Sequence, residues 1–198
     1  MLDTARLTQV TSVPPRVDTP LGAVTFAVQA GTTALSGKPD TTWRLANGTL
    51  LHRWRRRAFD LELLFGPVEP QVPDHFPAVT LWAAAWRLEA RHALPGSAIT
   101  AGLTGTSPDI EGGPSSGERL DAVTLENATA VVSIGGPDTA DYLDATSLRW
   151  RLPGLMRSET AELTVAVAWS RPAEEPATWF AVDFAQGSAF RRLTQHER

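Results

Sequence analysis

The stretch Glu162-Leu-Thr-Val-Ala-Val-Ala-Trp169 decides the fold, because large apolar residues in it alternate with small or polar ones. Successive side chains of a β-strand point to opposite faces, so a period of two predicts a strand with one buried face. Ser147–Leu152 and Trp179–Phe184 alternate in the same way. Such alternation is typical of antiparallel sheets, since strands buried on both faces of a parallel sheet form continuous apolar runs. The last third of the chain therefore predicts three antiparallel strands.

Further alternating stretches precede these three and are separated by Pro and Gly. The clearest hairpin signal is Asn47-Gly48 between two apolar stretches, because these residues tolerate the positive φ of a type I′ turn. A two-residue turn at this point would pair Trp43 with His52. It would also place Trp54 on their face, where the rings could pack across the strands.

The stretch Val79–His92 is compatible with two structures. With a period of two, Trp82 and Trp86 share one face; with a period of 3.6, Leu81 and Leu88 share one helical stripe. The alanines favour a helix, whereas the tryptophans favour a strand. We expect a strand, because the neighbouring stretches are strands and no N-cap residue precedes this one.

Pro- and Gly-rich segments mark the expected loops. Gly105–Glu118 is the longest predicted loop, and Gly135-Gly136-Pro137 is expected to end the strand that begins at Ala130. No linker and no internal repeat divides residues 1–184, which we predict to form a single β-sandwich domain. Residues 185–198 are predicted to be a polar C-terminal tail.

The predicted fold class is all-β, with two packed antiparallel sheets in a sandwich that has jelly-roll or Greek-key connections and long loops. A partly closed barrel, with 79–92 as a helix across one end, is the alternative. The chain of 198 residues is long enough to bury a core without disulfides. The expected core residues are Phe26, Phe59, Leu61, Leu63, Trp150, Val165, Val167 and Val182.

Composition excludes several classes of protein and of site. The chain has no cysteine, which excludes disulfides, thiolate metal sites and cysteine nucleophiles. Its net charge is −4, from 18 basic and 22 acidic residues, and this argues against a dedicated nucleic-acid binder. The N-terminus lacks a signal-peptide pattern, and no apolar run reaches the length that crosses a bilayer. We therefore expect a protein that is cytoplasmic at synthesis.

No sequence motif predicts a catalytic residue, a cofactor or a metal. Gly113-Pro-Ser-Ser-Gly117 has the Gly-x-Ser-x-Gly spacing, but it lies in a predicted loop with nothing to hold a strained nucleophile, and the chain has no phosphate-binding Gly-Lys-Ser loop. The basic run Arg53–Arg57 includes an aromatic residue, Trp54, yet alternate arginines of a strand face opposite ways. The histidines stand far apart and outside any metal-binding spacing: His52, His75, His92 and His196.

Two groups of carboxylates have both a chemical and a structural interpretation. Asp60 and Glu62 would lie on one strand face, roughly 6.5 to 7 Å apart, a distance that suits glycosidase acids. A solvated strand face explains them more simply. Asp138, Asp141 and Asp144 could converge on a calcium ion, although aspartates in turns commonly bind the backbone instead.

The function that we predict is a non-enzymatic structural or assembly protein, such as a virion, phage-tail or other multi-subunit shell component. The predicted partner-binding residues are Phe190, Arg191, Arg192 and Leu193, which mix aromatic and cationic character. Partners would be protein subunits, in an oligomer or a larger assembly.

A carbohydrate-binding module is the first alternative function, with Trp82 and Trp86 as the stacking surface. A jelly-roll hydrolase or metal enzyme is the second alternative, since fold does not determine function.

Overall fold

The computed structural model describes residues 7–35, 38–72, 75–106, 109–172, 177–186 and 193. These residues form an antiparallel β-sandwich with one helix, which confirms the predicted all-β fold class. In chain order, the elements are β1 (Thr8–Val10), β2 (Arg16–Thr19), β3 (Gly22–Ala30), β4 (Thr33–Leu35), β5 (Thr41–Arg44), β6 (Leu50–Arg55), β7 (Phe59–Val68), β8 (Thr80–Ala90), β9 (Ser97–Thr104), β10 (Glu111–Ser116), β11 (Leu120–Glu126), β12 (Val131–Pro137), β13 (Ala140–Asp144), β14 (Ser147–Leu152), β15 (Thr160–Ser170) and α1 (Ala177–Gln186).

The strands form two sheets of unequal width. The larger sheet has nine strands in the order β1-β5-β6-β7-β8-β15-β12-β11-β10. The smaller sheet has six, in the order β13-β14-β9-β3-β2, with β4 also paired to β3. Strands β7, β8 and β15, which have 10, 11 and 11 residues, run side by side in the larger sheet. The stretch Thr80–Ala90 is thus a strand, as its tryptophans predict.

The main core lies between the two sheets and contains most of the predicted core residues. Five large side chains that belong to it are Phe59, Leu61, Leu63, Trp150 and Val165. Phe26 packs at its margin. Alternation on the strands therefore identified this core correctly, because each strand directs every second side chain toward the opposite sheet.

A second apolar core lies on the outer face of the larger sheet, beneath α1. Ala166 and Ala168 of β15 are both 0% exposed there, and they pack in a cluster with Val182 of the helix. Small side chains on the strand let the helix approach the sheet closely. The central strands are consequently buried on both faces, which explains why Ala83, Ala84 and Ala85 in β8 are all buried.

The predicted strand Trp179–Phe184 is wrong, because these residues belong to helix α1. Ala177, Ala181 and Ala185 recur every four residues and are all buried against the sheet. This helical period accounts for the burial, whereas the two-residue alternation of the large side chains is incidental. Val182 accordingly contributes to the second core rather than to the core between the sheets.

Two predicted breaks in the sheet are also wrong. Strand β10 lies within the predicted loop Gly105–Glu118, and β12 continues through Gly135 and Gly136 to Pro137. A Cβ atom at Gly135 would lie 2.7 Å from Cγ1 of Val182, and one at Gly136 would lie 2.7 Å from Cε2 of Trp150. The two glycines therefore make room for the helix on one face and for an indole ring on the other.

The hairpin between β5 and β6 differs from its predicted register by one residue. Thr42 pairs with His52 and Trp43 with Leu51, because the connection closes through a hydrogen bond from Leu45 N to Thr49 O at 2.8 Å. A one-residue shift moves side chains to the opposite face. Trp43 consequently packs against the outer core, while Trp54 and His52 face the inner one.

We expect Gly135→Ala to destabilise the protein by about 1–3 kcal/mol, because the added methyl group overpacks the contact with Val182 and Ala122. Urea unfolding followed by tryptophan fluorescence measures this change. Gly113→Ala is the matched control, since a Cβ atom there meets nothing within 4 Å. Equal urea midpoints for Gly135→Ala and Gly113→Ala would contradict a tight contact between Gly135 and Val182.

Candidate functional site

Helix α1 presents two large apolar side chains to solvent on one side. Phe180 and Phe184 are each 41% exposed, and residues four apart lie next to each other on a helix surface. The ring centroid of Phe76 lies 5.3 Å from that of Phe180 and extends this surface beyond the helix. We call Phe76, Phe180 and Phe184 the aromatic face.

A chain of hydroxyl groups holds the first turn of the helix on the sheet. Thr178 Oγ1 is 2.8 Å from Ser133 Oγ, which is 3.0 Å from Thr124 Oγ1. Ser115 Oγ continues the chain at 3.3 Å from Thr124 Oγ1. Ser133 and Thr178 are fully buried, so these bonds satisfy polar groups that have lost contact with water. The helix is thereby anchored at a defined position.

Trp179 supports the aromatic face from beside the helix. Its ring stands edge-on to Phe180, with 5.4 Å between centroids and an angle of 89°. A Cβ atom at Gly117 would lie 2.8 Å from Cζ2 of Trp179, so a glycine is needed where the indole passes. Phe180 is thus held between Trp179 and Phe76, which lowers the entropy that its side chain would lose on binding.

The aromatic face carries a negative charge. Asp183 is exposed on the same side of the helix, three residues after Phe180 and next to Phe184. It is the single charged residue of Ala177–Gln186. The surface therefore combines aromatic rings with a carboxylate.

The predicted stacking residues lie elsewhere, in the core between the sheets. Trp86 is 3% exposed and stacks on Trp54 with 6.0 Å between ring centroids. Trp82 is half-buried against Phe65, at 5.1 Å. Carbohydrate binding stays a prediction, and the Trp86 ring is closed to solvent.

Of the four predicted partner-binding residues in the tail, Phe190, Arg191 and Arg192 lie outside the described residues. Leu193 is 1% exposed and packs in the outer core. Its carbonyl oxygen accepts a hydrogen bond from Asn47 Nδ2 at 2.9 Å. At this residue the tail contacts its own sandwich, so the Leu193 side chain is not available to a partner.

The strand carboxylates are bound by arginines. Asp60 pairs with Arg91 at 2.6 Å, and Glu62 pairs with Arg53 at 2.5 Å. Arg53 also lies over the ring of Trp43, with 5.1 Å from Cζ to the centroid. These contacts favour the structural interpretation of Asp60 and Glu62 over a pair of catalytic acids.

The aspartates considered for calcium have other partners in two of three cases. Asp141 binds Arg151 at 2.6 Å. Asp144 accepts hydrogen bonds from the backbone and side chain of Thr146, and the backbone bond is the main cause of its lowered pKa. Within the described ranges, no group of three or more His, Cys, Asp or Glu side chains could hold a metal ion.

The three histidines that the structure describes are dispersed. His52 is buried in the inner core, whereas His75 and His92 are exposed. His75 packs on Phe76 with 4.5 Å between ring centroids. His196 lies outside the described residues.

None of the helices in the described part is long and apolar enough to cross a bilayer.

Sequence reasoning missed the aromatic face because it assigned Trp179–Phe184, with Phe180 and Phe184, to a strand. The signal that could have found it is the four-residue spacing of Ala177, Ala181 and Ala185, with Pro176 just before them in the sequence. A helix with that buried stripe places Phe180 on the other side.

We expect Trp86→Ala to destabilise the protein by about 3–5 kcal/mol, because it leaves a cavity beside Trp54. Trp82→Ala should cost less, since its ring is already partly exposed. Thermal melting combined with glycan-array binding tests this. Loss of sugar binding at unchanged melting temperature in Trp86→Ala would contradict a purely structural role.

No protein-family model matches the chain, and no curated protein matches it.

Proposed function

We propose that this chain is a non-enzymatic subunit of a protein assembly and that it binds a protein partner through the aromatic face. The observation that supports the proposal is the exposure of both Phe180 and Phe184 on a helix whose other side is buried. Aromatic side chains are common energetic anchors of protein interfaces. Covering the exposed part of each ring would contribute about 1 kcal/mol.

The rigidity of the helix favours binding. The hydroxyl chain to Ser133 and the contacts with Trp179 and Phe76 already order the helix and the Phe180 ring. A partner that docks on a preordered surface loses less conformational entropy. More of the contact free energy would therefore contribute to binding affinity than it would if the same side chains lay on a flexible loop.

The charge on the aromatic face indicates the chemistry of the partner. Asp183 lies beside the exposed rings, and the whole chain has a net charge of −4. A partner segment with apolar side chains and an arginine or lysine would cover the rings and pair with the carboxylate. A second copy of this chain would bring another Asp183 into the interface, so we favour a different, basic protein.

The sheet edges are less suited to assembly than the helix. The edge strand β10 contains Pro114, which cannot donate a hydrogen bond. The edge strand β13 has a register shift between Tyr142 and Asp144. The remaining edge strands of the described part, β1, β2 and β4, have 3, 4 and 3 residues. Proline, bulges and short strands are features that oppose edge-to-edge pairing.

A synthetic amphipathic helix of leucine and arginine is the probe for this surface. We expect Phe180→Ser/Phe184→Ser to weaken its binding, measured by isothermal titration calorimetry, at least about tenfold. Asp183→Asn should weaken binding less and reduce its dependence on salt. Amide shifts in the complex should map to α1.

Leu143→Ser is the matched control, because Leu143 is 45% exposed but lies on β13. It should bind like the unmodified protein. Light scattering separates self-association from binding of the probe. Unchanged affinity of the double variant, with melting temperatures equal to those of the unmodified protein, would refute the proposal.

A further inference from the structure

A buried histidine lies at one end of the larger sheet, away from α1. His52 is 0% exposed on the core-facing side of β6. Its Nδ1 is hydrogen-bonded to Thr42 Oγ1 of β5 at 2.9 Å. Its Nε2 is buried as well and has no hydrogen-bond partner within the described part of the chain. One ring nitrogen is thus satisfied, and the other is enclosed without a partner.

The surroundings of this imidazole are apolar. The ring of Trp54, from the same strand, lies 6.0 Å away between centroids, and the ring of Phe65, from β7, lies 6.1 Å away. The residue of β7 paired with His52 is Leu63. Thr42 supplies the contact from β5. Among the described residues, these neighbours include no charged or titratable group.

The nearest charges along the strands face the other way. Arg53 follows His52 in β6, and its side chain points to the outer face, where it binds Glu62 of β7 at 2.5 Å. Among the residues that the structure describes, no carboxylate therefore stands in position to stabilise an imidazolium ion at His52. A charged ring would also need an acceptor for the N–H at Nε2, which the core does not supply.

We propose that His52 is an acid-sensitive lock, whose protonation releases the β5–β6 hairpin and β1 from the end of the sandwich. In the described part of the larger sheet, only β5 and β1 lie outside β6. Release of the hairpin breaks the six-pair ladder between β6 and β7, from Leu50 with Phe65 to Arg55 with Asp60, while β5 and β1 have 4 and 3 residues. The long strands β7, β8 and β15 would keep their pairing. Water could then reach Nε2 without loss of the whole fold.

The direction of the pH dependence follows from burial. Burial lowers the pKa of His52 from 6.5 to about 4 in the closed state, whereas an exposed imidazole keeps its usual pKa. The closed state is then fully favoured above pH 6.5 and loses stability as the pH falls toward 4. Between pH 7 and pH 5 the equilibrium should shift toward the open state about 20-fold.

Hydrogen–deuterium exchange of the full chain tests the proposal. Amides of β5 and β6, with rates corrected for the intrinsic effect of pH, should show opening that is about 20-fold more favourable at pH 5 than at pH 7. Amides of β15 should remain protected. His52→Gln, which keeps an uncharged partner for Thr42, should abolish the difference. His92→Gln changes an exposed histidine and should behave like the unmodified protein.

Equal pH dependence in the unmodified protein and in His52→Gln would overturn the proposal. If His52→Gln does not fold, the imidazole signals of the unmodified protein decide by nuclear magnetic resonance. A His52 signal that titrates near pH 6.5, while β5 and β6 stay protected, would show that the closed core accepts the charge. A His52 ring that stays neutral until the hairpin opens would support the lock.

Discussion

The larger sheet is packed on both faces, and this double packing determines which side chains its central strands can carry. On the inner face, β7 and β8 supply large residues such as Leu63 and Trp86, which fill the space between the sheets. On the outer face, Ala166 and Ala168 leave room for the helix. A central strand therefore carries large side chains on the face toward the opposite sheet and small side chains on the face toward the helix.

The same constraint explains why the helix occupies one position. Gly135 permits contact with Val182, and Gly117 permits passage of the Trp179 ring. The missing side chains at these two glycines create this space. Once α1 is seated, Phe180 and Phe184 must face solvent, because the side of the helix that carries alanines is occupied. The aromatic face is thus a consequence of how the helix packs.

Sequence reasoning predicted the parts of the fold that depend on strand alternation. Phe59, Leu61 and Leu63 were expected in the core and are found there. The alternation along a single strand is enough to identify them as its buried face. The β5–β6 register was missed because it depends on how the Asn47-Gly48 connection closes, and a single hydrogen bond distinguishes the alternatives.

The candidate site was not predicted, because the residues of its helix suit two periods at once. Phe180, Val182 and Phe184 alternate like a strand, and the alanines between them recur like a helix. Which pattern prevails depends on packing against the outer face of β12 and β15, which the local alternation does not encode. Likewise, Gly135 and Gly136 of β12 resemble the end of a strand when the sequence is considered alone. Their role becomes clear only from Val182 and Trp150, which approach them from opposite faces.

The hydroxyl chain beneath the helix imposes an order on its hydrogens. Each hydroxyl has one hydrogen to donate, so if Ser133 donates to Thr178, Thr124 must donate to Ser133 and Ser115 must donate to Thr124. The O–H dipoles then align from β10 toward α1, and each polarises the next. In that arrangement, the O–H dipoles of the edge strand β10 and of the first turn of the helix point the same way.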